Sequence, residues 1–133
     1  MSSANEKPIA LAILLCDQVI RDLERKKASI IGVFSAIHTK GVPCYHQTFA
    51  VYLRLTNGRG HQKIELKMKH QESGDTAGIA TNEIGMDNPD QIIEVVFEFR
   101  DVSFEDFGRY IIEFYANGKY VSECRFDLNV TPS

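Results

Sequence analysis

Apolar and polar side chains alternate through the last third of the chain. Ile93, Val95, Phe97 and Phe99 fall on one side of their run, and Glu94 and Glu98 on the other. A period of two marks a strand with one buried face. In the next run Tyr110, Ile112, Phe114 and Ala116 alternate with Arg109, Ile111, Glu113 and Tyr115. After Asn117-Gly118 the alternation resumes. Tyr120, Ser122, Cys124, Phe126, Leu128 and Val130 share one face; Val121, Glu123, Arg125, Asp127 and Asn129 share the other. An Asn-Gly pair accepts positive φ at both central positions of a type I′ turn. The pattern from Ile92 to Val130 therefore predicts three consecutive antiparallel strands.

The same rule applies upstream. Thr48 to Thr56 sets Phe49, Val51, Leu53 and Leu55 inward and Tyr52 and Arg54 outward. Asn57-Gly58-Arg59-Gly60 makes a hairpin turn. His61 to Gln71 then buries Ile64, Leu66 and Met68 between exposed lysines and Glu65. Ser29 to His38 reads as one strand, in which Gly32 marks a bulge or a close backbone approach. Ala77 to Ile84 reads as a short strand, and Gly85 to Asp90 as an exposed connection. The first apolar run, from Ile9 towards Ile20, admits two readings. It is a strand followed by a charged turn, or one amphipathic helix to Lys27, since Ala and Leu favour helix and no breaker intervenes. The strand suits the all-β remainder. If the strand from Thr48 plays the second-strand role of a sandwich, it pairs with Gln91–Phe99, and Arg54 lies near Glu94 or Glu98.

Between two of the closing strands stands Asp106-Phe107-Gly108-Arg109-Tyr110. This Asp-x-Gly-x-Tyr resembles the corner of immunoglobulin-like domains, where a Tyr hydroxyl bonds back to the corner's backbone and Gly takes a conformation other residues resist. Asp106, Gly108 and Tyr110 are thus expected to build a structural corner. Ile112 stands where antibody domains place a Cys, and the chain has no Trp, so their disulfide is excluded. The expected fold is an all-β, immunoglobulin-like antiparallel sandwich of about seven to eight strands. It forms a single domain over 9–131, after a disordered segment 1–8.

Composition narrows the chemistry. The chain has 133 residues, 44% of them hydrophobic, enough for one buried core. A net charge of −3 gives no electrostatic case for nucleic acid. Cys16, Cys44 and Cys124 are odd in number and widely spaced, which argues for reduced thiols in a cytoplasmic protein rather than a disulfide framework or zinc ribbon. The run before Cys16 is too short to span a bilayer. It also lacks the flanks of an export signal, with Leu15 where processing needs a small residue. Cys16-Asp17 is a possible reactive thiol, but no His is near in sequence. Cys44 and His46, with His38 and a fourth ligand from His61, His70 or a carboxylate, match no common zinc spacing. Asp87 and Asp90 precede one strand while Asp101, Glu105 and Asp106 follow it, so they belong at opposite ends. Gly58-x-Gly60 precedes no helix and cradles no phosphate. The sequence therefore predicts no catalytic residue, metal or cofactor.

Leu15-Cys16-Asp17, Ile31-Gly32-Val33-Phe34, Pro43, Phe107-Gly108 with Tyr110, and Asn117-Gly118 together resemble a group of small bacterial proteins known only as a domain of unknown function. The resemblance spans about Ile9 to Val130. It implies one free-standing sandwich and no activity. What the residues add is an outward cluster, Ile111, Tyr115 and Val121, rimmed by Arg109, Glu113, Glu123 and Arg125. Such a patch suits an interface. The expected function is a non-enzymatic interaction module, binding a second copy or a protein partner through the final hairpin. The alternative is a small-molecule or metal-binding protein using the loops around Cys44 and His46.

Overall fold

A computed structural model describes residues 6–132, apart from the side chains of His46 and Gln47. Nine strands occur among the described residues: β1 (Ile9–Arg21), β2 (Ala28–Val33), β3 (Ala36–Thr39), β4 (Cys44–Thr56), β5 (Gly60–His70), β6 (Thr76–Met86), β7 (Ile93–Phe104), β8 (Gly108–Ala116) and β9 (Lys119–Val130). They form two sheets, ordered β2-β1-β4-β7 and β3-β9-β8-β5-β6. All neighbours are antiparallel except β3 and β9.

The inward alternation of each strand supplies the core between the sheets. Phe49, Val51, Leu53 and Leu55 of β4 face Ile64, Leu66 and Met68 of β5 and Ile112 and Phe114 of β8, all inaccessible to solvent. Tyr110 stacks on Phe126 at 5.4 Å between ring centres, and Phe104 meets both rings edge-on. In the other sheet Phe49 stacks on its cross-strand partner Phe99 at 5.3 Å. Arg54 lies opposite Glu94 on β7, as the register argument required.

Several segments differ from the sequence reading. Ser29–His38 is two strands, not one. The chain breaks at Phe34-Ser35, and β2 and β3 enter different sheets. Alternating apolar residues cannot say which sheet a strand joins. β7 runs on to Phe104 through Asp101, whose φ of 53° resets the alternation and buries Val102 and Phe104 in what reads as a link. Met86, placed in an exposed connection by the sequence, ends β6 fully buried. The chain is also paired before Ile9. Glu6 exchanges main-chain bonds of 3.0 and 3.1 Å with Arg59, and Pro8 is buried. Residues 1–5 of the expected disordered segment lie outside the described residues.

Candidate functional site

β1 is too long for the sheet it enters. Its pairing with β4 ends at Cys16↔Ala50. Beyond it, Gln18–Arg21 pair only with Ala28–Ile31 of β2, making a two-stranded arm closed by the turn 22–27. Ala12 pairs with Arg54, and Arg54 with Glu94, yet the Arg21 guanidinium lies 3.3 Å from Glu94. Extended chain from Ala12 to Arg21 would cover about 30 Å. The arm must therefore bend after Cys16 and fold back over the outer face of β4 and β7.

The bend has a local cause. Gly32 takes φ +71°, and a Cβ there would sit 2.3 Å from the Asp17 carboxylate that packs over it. Only glycine combines that backbone with so close an approach. The folded arm shields Ala50 and Tyr52, which are buried although they point away from the core. It does not seat flush. Clefts of about 450 and 410 Å³ remain beneath it, the first lined by Lys26, Lys27, Ala28 and Ile92, the second by Gln18, Val19, Ala50 and Val96.

The arm is held by charge. Glu94 accepts a short hydrogen bond from the Tyr52 hydroxyl and faces Arg21 at 3.3 Å and Arg54 at 3.5 Å. The Tyr52 bond, helped by both guanidiniums, holds the Glu94 carboxyl below its ordinary range against the opposing effect of burial. Burial, then the bond to Glu94, pushes the Tyr52 phenol up.

A third cleft, of about 410 Å³, opens at the bend. Asp17, Phe34, His38, Thr39, Cys44 and Tyr45 line it. The sequence did not connect Asp17 with His38 and Cys44; the fold does. His46 was their suggested co-ligand, and its side chain lies outside the described residues. His61 and His70 are committed elsewhere, His61 to Glu83 at 3.3 Å and His70 to Phe107 O at 2.8 Å. Among the described residues no three His, Cys, Asp or Glu side chains lie close enough to hold a metal ion. Cys16 is buried, with Sγ 3.7 Å from Ala50 O, and burial pushes its thiol up. Burial pushes the Cys124 thiol up to about 12.

The final hairpin does not present the expected patch. Ile111, Tyr115 and Val121 are each half-buried. A register shift between Phe114 and Tyr115 brings Tyr120, not Val121, opposite Tyr115, and Val121 packs against the core. Strict alternation could not register that shift. Tyr115 is already engaged. Its hydroxyl donates to Glu113 at 3.1 Å, Tyr120 lies edge-on at 6.0 Å, and the Lys67 ammonium sits 4.8 Å from its ring centre. At the corner, Tyr110 donates to Asp106 O at 2.6 Å, and Gly108 takes φ +117° with His70 Nε2 beside it.

The model of a family of unknown function, DUF6941, matches residues 11–129. This chain belongs to that family. The match takes in the folded arm, the bend and the corner, so all of them lie within the DUF6941 unit. No curated protein matches the chain. Among solved structures it is similar to the Pseudomonas fluorescens alkylpurine DNA glycosylase AlkC bound to DNA containing an abasic site analog. That likeness has 14% identity and a TM-score of 0.45, over 71% of this chain and 27% of the other. It is too slight to bear on chemistry.

Proposed function

We propose that this DUF6941 protein is a non-enzymatic, cytoplasmic protein-interaction module built on an immunoglobulin-like sandwich. Three features support that finer fold assignment. β4 pairs with β7 as second and fifth strands do, β5, β8 and β9 share the opposite sheet, and the Tyr110 corner joins β7 to β8. The working surface is the arm rather than the final hairpin. One observation carries this: β2 is an edge strand without a charged residue or proline. Its Ile31 and Val33 are 44% and 60% exposed, and Leu23 at the arm's tip is 88% exposed. Open edges of this kind are normally blunted by charge, proline or cover, and recruit another strand when they are not.

Ile31→Lys puts a charge on that edge without touching the core. Expected is loss of any complex seen by native mass spectrometry, with stability changed by less than about 1 kcal/mol, as for an exposed site. An unchanged complex would remove the arm as the working surface. A second reading is favoured by the cleft that joins Asp17, His38 and Cys44, a binding site for a small polar molecule. It predicts extra bound mass that disappears in His38→Ala with Cys44→Ala.

A further inference from the structure

Resting on the interaction reading, we infer that the arm's natural occupant is a second copy of the same arm. The two β2 strands would pair antiparallel about a twofold axis at Ile30. The argument begins with the hairpin's hydrogen bonds. Asp22 N donates to Lys27 O at 2.9 Å, and Lys26 N to Asp22 O at 2.7 Å, closing the turn. Bonding alternates along an antiparallel ladder. With Asp22 bonded to Lys27, the main-chain groups of Lys27, Ser29 and Ile31 turn towards β1. Those of Ala28 and Ile30 turn to the open edge. Past Ile31 the alternation is reset at Gly32, and Phe34 N bonds Leu15 O at 3.1 Å.

A second β2 can satisfy these groups only if Ile30 or Ala28 meets a residue that is also free. Setting Ile30 opposite Ile30 of the other copy does so. It places Ala28 opposite Gly32, Ser29 opposite Ile31, and Lys27 opposite Val33. The charges agree with this register. Lys26 and Lys27 stand at one end of β2, and the Asp17 carboxylate lies over Gly32 at the other. Antiparallel pairing therefore sets the basic end of each strand beside the acidic end of its mate. The other edges are less suited to it. β7 carries Glu94, Glu98, Arg100 and Asp101, β6 carries Glu83, and β3 is four residues long. The two arms would join into one four-stranded ribbon, with Ile31 covered by the other copy.

The test uses the intact protein. Residues opposed in a hydrogen-bonded pair have Cα atoms about 5.5 Å apart, within disulfide reach. Ile30→Cys should cross-link to a dimer under mild oxidant, while wild type with its three native thiols should not. In sedimentation equilibrium, Lys27→Glu should weaken the wild-type dimer roughly tenfold by reversing a charge at both basic ends. Adding Asp17→Lys should recover most of that loss. A dimer that Ile30→Cys does not trap, or that ignores both charge changes, overturns the pairing. A monomer at every concentration overturns it too. If Ile31→Lys still abolishes a complex with a different protein, the interaction reading stands without the second copy. If it abolishes nothing, both fall.

Discussion

Tyr110 shows how much one residue can tie together. Its ring stacks on Phe126 and meets Phe104 and His70 edge-on, both at 5.0 Å. Its hydroxyl reaches back to the Asp106 carbonyl at 2.6 Å. His70 completes the corner from β5. Nε2 donates to Phe107 O at 2.8 Å, and Nδ1 accepts from Ser73 N at 3.1 Å. Those partners fix the neutral tautomer with its proton on Nε2. Tyr110→Phe keeps every ring contact and removes only the hydroxyl. Losing one intramolecular hydrogen bond costs about 0.5–1.5 kcal/mol. A loss in that range is expected in urea unfolding, with the β-sheet spectrum intact; a loss near zero would show the corner to be ornamental. The Asp-x-Gly-x-Tyr spacing made this tyrosine legible in the sequence. His70 was weighed only as a metal ligand and the buried Gln62 not at all, although both fall on the inward face of Ile64, Leu66 and Met68. Their parity was visible. Their partners, Phe107 O for His70 and Glu6 O and Arg59 O for Gln62, were not, because two of the three are remote in sequence.

At the scale of the element, the arm is a strand pair docked by charge over imperfect packing. Glu94 titrates below its ordinary value in the folded state. Its contribution is therefore complete above the unfolded carboxylate's pKa of about 4.3 and is lost as pH falls through the lowered folded value. At neutral pH the arm is latched, and below about pH 4 it loosens. Glu94→Gln should mimic that release at pH 7. Amide exchange in Gln18–Arg21 and Ala28–Ile31 is expected to quicken roughly tenfold, about 1.4 kcal/mol of local stability, while β5 and β8 stay protected. Uniform quickening across both sheets would mean that the arm is no separate unit. Little of this was readable beforehand. The apolar run from Ile9 fitted strand or helix, and the charged stretch 21–27 looked like a solvated turn. That Arg21 reaches Glu94 follows from the bend at Gly32, and a glycine in a strand announces a close approach without naming what approaches. The strands whose faces are all buried or all wet were legible. The arm, wet on one side and lying on a sheet's outer face on the other, was not.

For the molecule as a whole, the two sheets and the arm form a hierarchy of stability that three thiols report. Cys44 is half-buried at the bend cleft. Cys16 is buried at the hinge, against Ala50 O. Cys124 packs against the core on β9, its thiol pushed up to about 12 by burial. A thiol reacts as its thiolate and only where reagent can reach it, so each cysteine waits for a different opening. Cys44 needs none beyond its cleft. Cys16 needs the arm to lift, a local event cheaper than unfolding. Cys124 is partly exposed on β9, but burial holds its thiol protonated, so reagent meets little thiolate there until β9 leaves the core. Timed alkylation read by mass spectrometry should therefore label Cys44 first, Cys16 next and Cys124 last. Glu94→Gln should accelerate Cys16 alone, since the latch it removes holds only the arm. Mild urea should bring Cys124 into step with the loss of β-sheet signal. Simultaneous labelling of Cys16 and Cys124 would make the arm part of one cooperative sandwich. Separate labelling makes the arm a unit that moves on a rigid body.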